Sequence, residues 1–291
     1  MPRRELSEGV AVTTIALFVH RYRLDAASLA KEAATWLVDE GHEVRVQADD
    51  AAAVGLDDLA AGDDALLAGL DLAVSIGGDG TMLRTVDLVG AASVPVLGVN
   101  VGTLGYLTQV EPDGLFDALE RFQAGDYRVE ERMLLSVDAA GAPPAVALNE
   151  AVLEKTPMGH TVRLAVFLDS DFFTTYAADG LIVATPTGST AYSFSARGPI
   201  VAPEHRALLL TPVAPHMLFD RSMVLEPQTQ VRIEVAGPRP ATLSVDGRNL
   251  GELNEGDAIT CTSADRSARL VAFRPRDFHR ILKKKFGLNE R

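Results

Sequence analysis

Apolar residues recur along this chain in two rhythms, and the change from one to the other follows Gly125. Residues 13–19 (TTIALFV) are β-rich and almost wholly apolar, as a strand buried on both faces should be. Residues 25–40 follow with Ala, Leu, Trp36 and Leu37 at helical spacing, and Gly41 is the stop. A short strand at 43–47, a weakly patterned Asp/Ala-rich segment at 49–70, a buried strand at 72–76, a helix from Thr81 to Val89 and a strand at 94–99 complete a β-α-β-α-β alternation. That rhythm predicts a Rossmann-like parallel sheet with helices on its faces. Right-handed crossovers then place the turn after residue 76 at the carboxyl edge of the sheet, where ligands bind. One more amphipathic helix is expected at 113–122.

From residue 127 the apolar runs become short, β-branched and separated by Gly, Pro, Asn or Asp: 133–137, 146–153, 162–168, 181–184, 207–210, 231–235 and 242–245. This spacing predicts an antiparallel, all-β, sandwich-like domain. Residues 274–286 return to a helical pattern, with Lys283, Lys284 and Lys285 in the final turns, where cations complement the helix dipole. Three lysines at a terminus read as a solvated helix end rather than a nucleic-acid patch. The expected organisation is an α/β domain over 1–126 and a β domain over 127–271.

Composition narrows the class. With 291 residues, 47% hydrophobic and 23% charged, the chain has material for two globular cores. A formal net charge of −13 disfavours unspecific binding to nucleic acid or an anionic membrane, so an anionic ligand must be held by local donors. The single cysteine, Cys261, fits a reducing cytoplasm, and the basic N-terminus lacks the apolar core of a signal peptide. The uncharged run 88–110 contains Pro95, Asn100, Gln109 and four glycines, and so reads as strand, turn and strand rather than a membrane span.

The stretch Ser75-Ile-Gly-Gly-Asp-Gly-Thr-Met-Leu-Arg84 concentrates the chemistry. A buried strand stops at three glycines around one carboxylate, and a helix follows at once. Glycine serves where φ is positive or where a ligand approaches the main chain with no Cβ in the way. A helix opening there aims unpaired N–H groups and the positive end of its dipole at whatever sits over the turn, phosphates above all. Asp79 is then the odd member, because a carboxylate facing phosphate is repulsive unless it holds a metal ion or takes a proton from an attacking hydroxyl. Both are tasks in phosphoryl transfer. The plainer alternative is a βα turn with Asp79 as helix cap. A second glycine-rich turn, Asn100-Val-Gly-Thr-Leu-Gly-Tyr-Leu107, also follows a strand and should lie beside the first.

Three further stretches carry polar groups in apolar settings. Asn149-Glu150 is embedded in AVALNEAVL, a strand in which the two would point to opposite faces, one of them towards a cleft. An amide beside a carboxylate can read the edge of a base or a ribose; an edge-strand or turn pair is the alternative. Residues 178–195 (ADGLIVATPTGSTAYSFS) bracket a buried strand at 181–184 with Asp179-Gly180 and with a hydroxyl-rich loop that starts a helix. Ser189 or Thr190 would cap that helix, and Tyr192 offers a ring to stack on a base. His216, in a Pro-rich connection, reads as structural, and no histidine spacing suggests a metal cage. A G-x-S-x-G elbow, a G-x-G-x-x-G fingerprint and a Walker A lysine are all missing from the sequence, which removes serine hydrolases, Rossmann dehydrogenases and P-loop kinases. The site is expected in the cleft between the two domains.

GGDGTML at 77–83, GVNVGTLGYL at 98–107, LNE at 148–150, DGLIVATPTGSTAYSFSARGPIV at 179–201 and LTPVAPHML at 210–218, in this order over roughly residues 72–250, resemble the NAD kinases. GGDG alone is shared with 6-phosphofructokinases and with diacylglycerol and sphingosine kinases; the long block and the Asn-Glu pair point to NAD kinase. The resemblance implies transfer of the γ-phosphoryl of ATP, or of polyphosphate, to the 2′-hydroxyl of the adenosine ribose of NAD, with Mg²⁺ or another divalent cation. It implies Asp79 as proton acceptor, and Gly77, Gly78, Gly80 and Thr81 around the phosphate donor. Contacts to NAD are implied for Asp79, Gly80, Arg84, Asn149, Glu150, His160, Asp179, Thr187, Thr190, Ala191, Tyr192, Ser193, Ser195, Ala214 and Asn249. Arg248 stands where the family frequently has glutamine. A homodimer or homotetramer, and a final segment, 272–291, packed back on the first domain, are also implied. A lipid kinase, which needs an apolar acceptor pocket, and a non-catalytic NAD-binding sensor are the competing readings.

Overall fold

The computed structural model describes residues 12–103, 105–139, 141, 143–156, 160–275 and 277–288, and these fall into two compact units, one up to residue 129 together with 270–275 and the other over 130–269 together with 277–288. In the first, β1 (Thr14–Val19) pairs in parallel with β2 (Glu43–Gln47) on one side and β4 (Leu72–Gly77) on the other. β3 (Ala60–Ala61) extends the sheet beyond β2, β5 (Val96–Asn100) extends it beyond β4, and Leu270 pairs with Val96 at the far edge. The helices are α1 (Leu24–Asp39), α2 (Ala48–Val54), α3 (Asp63–Leu67), α4 (Asp79–Val89) and α5 (Leu115–Gln123). All six residues of β4 are buried, as its continuous apolar pattern requires. α1 turns Ala26, Ala30, Ala33, Ala34 and Leu37 inward, a stripe of mostly small side chains that lets a helix lie close on a sheet. The chain moves outward from β1 to β3 and then resumes on the other side of β1 with β4. The strand order therefore reverses between β1 and β4, and the Gly77 turn leaves the sheet at that switch point. The Asp/Ala-rich segment, read as weakly patterned, resolves into α2, β3 and α3.

The second unit has two antiparallel layers. One contains β6 (Arg128–Ala139), β7 (Ala145–Ala147), β9 (Val162–Leu168), β10 (Asp171–Ala178), β14 (Val231–Val235) and the start of β17 (Ala258–Ala272). The other runs in the order β13 (Met223–Leu225), β12 (Leu208–Val213), β11 (Gly180–Ala184), β8 (Glu150–Lys155), β15 (Ala241–Val245), β16 (Arg248–Leu253). Leu153, Leu181, Leu210 and Leu243 of the second layer share one core with Leu135, Leu164, Val166 and Ile233 of the first. The opposite face of β11 and β8, through Ile182 and Val152, packs against Ala196 and Val201, which seats the segment after β11, including the short α6 (Tyr192–Ser195). The expected strand at 146–153 is two strands: β7 and β8 belong to different layers, and the chain crosses at Leu148–Asn149. Asn149 and Glu150 thus do not alternate across a strand; they stand at a corner. Residues 270–275 group with the first unit and α7 (Phe278–Phe286) with the second, where Phe286 lies 5.0 Å from Phe194 between ring centroids.

Candidate active site

In the first unit β4 ends at Gly77 and α4 begins at Asp79, with Gly78 as the N-cap residue. None of the three glycines takes a positive φ, so conformational freedom is not why they are there. A Cβ on Gly77 would overlap the Thr81 hydroxyl, which the next turn of chain folds against it. A Cβ on Gly78 or Gly80 would meet no protein atom within 4 Å, so the space beside both is open. No described hydrogen bond joins the Asp79 carboxylate to its own helix. Its carboxylate instead accepts the backbone N–H of Tyr106 at 2.8 Å and of Leu107 at 3.0 Å, so the second glycine-rich turn clasps the first. Gly105 is needed there, because a Cβ would run into the Asp79 carboxylate. Burial and the Asp79 charge both push the Tyr106 phenol above its ordinary pKa.

Arg84 is expected at the dinucleotide phosphates, and in the structure its guanidinium has protein partners. It binds both oxygens of Asp50, one of them at 2.8 Å, and the Val19 carbonyl at 2.8 Å. Asp50 is fully buried and also accepts the Val19 N–H at 2.8 Å and Arg21 Nε at 2.7 Å. A guanidinium closed onto a buried carboxylate and a carbonyl ties α4 to the end of β1 and to α2, a structural role that stands beside the expected one.

The second unit joins three distant stretches. The Asn149 carbonyl accepts the Thr185 N–H at 2.8 Å, and the Thr185 hydroxyl donates to the Leu148 carbonyl. Gly188 lies so close that a Cβ would overlap the Asn149 backbone. On the other side, the Asp246 carboxylate accepts the N–H groups of Leu148, Asn149 and Glu150 at 2.7, 2.9 and 3.0 Å. The half-buried Asn149 amide has no partner among the described residues. Glu150 is buried, its carboxyl accepts the Tyr192 N–H, and its Oε2 lacks a partner among the described residues. Desolvation, then the neighbouring Asp246 charge, push its pKa to about 8 against the pull of the Tyr192 N–H. The corner thus holds an amide and a carboxyl whose burial favours its neutral form, a mixed set of donors and acceptors.

Around it, Tyr192 is about one-third exposed, and burial together with the charges of Glu154, Asp179 and Glu150 raises its phenol pKa. Asp179 forms a 2.8 Å ion pair with Lys155. Thr187 is buried with an unpartnered hydroxyl, and Thr190 donates to its carbonyl at 3.3 Å. The capping expected of Ser189 or Thr190 is corrected: Ala191 is the N-cap of α6, because the Ser189 hydroxyl already bonds both backbone groups of Val201. The Ser193 hydroxyl is enclosed against Thr211 at 3.1 Å rather than turned outward. Ser195 follows in α6, and Ala214 has a φ of +42° just beyond β12. His160 and Asn249 are exposed, and Asn249 accepts the Gly251 N–H of its own hairpin. No described hydrogen bond joins either to the corner. Sequence reasoning missed Asp50, Thr185 and Asp246. Only the last left a signal, the Asp-Gly pair of a two-residue hairpin turn between Val245 and Arg248.

Residues 15–127 match the family model described as the ATP-NAD kinase N-terminal domain, and residues 148–273 that of the ATP-NAD kinase C-terminal domain. The NAD kinase of Geobacter metallireducens is 38% identical over 282 residues, covering 95% of this chain and 99% of that one. That of Heliobacterium modesticaldum is 46% identical over 221 residues, covering 74% and 78%. The crystal structure of yeast NADH kinase complexed with NADH superposes with a TM-score of 0.88 at 27% identity, over 96% of this chain and 89% of that one. An Archaeoglobus fulgidus NAD kinase in complex with ATP shares the fold, with a TM-score of 0.71 at 24% identity over 96% and 100% of the two chains. With both halves matched in order and relatives aligned along nearly the whole length, the chain belongs to the NAD kinase family.

Proposed function

We propose that the chain transfers the terminal phosphoryl group of ATP, or of inorganic polyphosphate, to the 2′-hydroxyl of the adenosine ribose of NAD, yielding NADP. The observation that carries this reading is the Asp79 carboxylate, fixed by two backbone N–H groups at the opening of a helix beside two unobstructed glycines, in a chain of this family. Each Asp79 oxygen keeps a lone pair after bonding Tyr106 or Leu107. It orients the ribose hydroxyl and accepts its proton as the new O–P bond forms and the bond to the leaving ADP breaks. A loose phosphoryl-transfer transition state asks for positioning more than for full proton removal. Gly77, Gly78, Gly80 and Thr81 form the donor side. The family's description as ATP-NAD kinase supports ATP as donor. Asn149 and Glu150 hold the adenosine end, and Asp179, Tyr192 and the Thr187–Ala191 segment hold the rest of the dinucleotide.

Among the described residues no three His, Cys, Asp or Glu converge as a metal cage. Asp79 alone is a hard oxygen donor with lone pairs to spare, which fits a Mg²⁺ that arrives on the donor's phosphates. When bound, that ion neutralises charge on the phosphate oxygens. Among the described residues no helix is long and apolar enough to cross a membrane. The reading includes a cytoplasmic homodimer or homotetramer, which light scattering on purified protein tests.

The deciding assay supplies NAD, Mg²⁺ and, separately, ATP and polyphosphate, and measures NADP. NADP with either donor supports the reading and names the donor. NAD binding without NADP would favour a sensor, and phosphorylation of lipid alone a lipid kinase.

A further inference from the structure

Asp246 is the first residue of the two-residue turn between β15 and β16, with φ +46°, followed by Gly247 at +78°. Asp accepts this left-handed backbone better than most residues with a Cβ, and glycine accepts it freely. From the turn its carboxylate reaches a segment 96 to 98 positions away in sequence, where three successive N–H groups point at it. Its own N–H returns to the Glu150 carbonyl at 3.0 Å. Those N–H groups lie where the chain leaves one β layer for the other. An amide in place of the carboxylate has one acceptor oxygen and would aim its NH₂ at a donor, so only a carboxylate serves the whole corner. The bonds are charge-assisted, the strong class.

We propose that Asp246 is a positioning residue for nucleoside recognition: by gathering the N–H groups of Leu148, Asn149 and Glu150 it sets the direction in which Asn149 presents its amide, and Glu150 its carboxyl, to the adenosine half of NAD. The inference rests on the kinase reading above. From the other side Thr185 and Gly188 hold the same Asn149 peptide, so its rotation is blocked on both faces. The Asp246 charge stands next to Glu150 and favours the neutral carboxyl, which keeps an O–H to donate.

The test is steady-state kinetics of the full chain carrying Asp246→Asn or Asp246→Ser, with melting temperature as a control. The expected result is a KM for NAD raised about 10- to 100-fold, the loss that follows when a buried donor is left unpaired. The KM for the phosphoryl donor should stay within about twofold, and competitive inhibition by adenosine should weaken in step with the NAD effect. Asn149→Ala should add little in the Asp246→Asn background, because the two act on one contact. A merely structural role would lower the amount of active enzyme, and so kcat, while leaving KM for NAD where it was. That pattern overturns the proposal, as does full additivity with Asn149→Ala. Should Asp246→Ser fail to fold, Asp246→Asn, which keeps the turn-forming shape, carries the comparison. A parent chain that makes no NADP would overturn the kinase reading and this inference with it.

Discussion

A carboxylate at the start of a helix ordinarily accepts N–H groups of that helix, whereas Asp79 accepts those of Tyr106 and Leu107. On the proposed reading, this difference separates an acceptor held for chemistry from a cap held for stability. Asp79→Asn keeps the shape and loses the proton acceptor, so kcat should fall about 10²- to 10⁴-fold with a smaller change in NAD affinity, measured by initial rates and by NAD titration. Near-normal turnover would remove Asp79 from the mechanism. Glu150 permits a second test, of pH dependence. Its carboxyl binds a proton up to about pH 8 in the folded chain but only to about 4.5 unfolded, so the native state holds more protons across that window and its stability falls as pH rises through it. Glu150→Gln removes the titration. Relative to the parent, this variant should gain about 4 kcal/mol between pH 5 and pH 9, followed by urea unfolding at each pH; a constant difference would mean that Glu150 titrates normally. At this scale the sequence was legible where neighbours in the chain are neighbours in space, as in the glycine turn. Asp50 was not, because its partners lie tens of residues away and nothing in the local pattern marks it; the Asp-Gly pair marks Asp246 as a turn residue but not the distant N–H groups that it gathers.

Among the elements, α4 is the one whose placement matters most, and it is held from two directions. At its first residue the Asp79 carboxylate is bound to the second glycine-rich turn, and at Arg84 it is closed onto Asp50. Asp50→Ala would leave Arg84, Arg21 and the Val19 N–H without their common acceptor. The expected cost is about 3 kcal/mol by chemical denaturation, together with a loss of turnover as α4 shifts, and a stability change under about 0.5 kcal/mol would refute the anchoring role. The alternation of strands and helices in the first unit followed from period alone. The break between β7 and β8 did not, since AVALNEAVL is as apolar as a continuous strand, and the bonds that turn it at Leu148 and Asn149 go to the distant Asp246 and Thr185. For the same reason β10 and the long β17 were missed: much of each is half-buried or exposed, which dilutes the apolar signal.

For the molecule as a whole, the net charge of −13 sets a condition on its substrates. ATP and polyphosphate approach against that field, and salt weakens it, because the screening length shrinks from about 30 Å at 0.01 M to about 8 Å at 0.15 M. The apparent KM for the donor should therefore fall as NaCl is raised over that interval at fixed free Mg²⁺. A KM that climbs instead would reveal local cations that outweigh the global charge. The change of rhythm after Gly125 predicts two cores and the family resemblance a final segment returning to the first; in the structure Leu270 supplies a parallel neighbour to Val96 in β5, so the first unit is not one continuous stretch. A ribosome therefore releases β5 well before its outer partner exists. At ordinary elongation rates the intervening β domain takes on the order of ten seconds to emerge; Gln109 and Val110 already bond Gly98 and Asn100, but throughout that interval the Val96 end of the edge stays open for a chaperone, or a neighbouring nascent chain, to find.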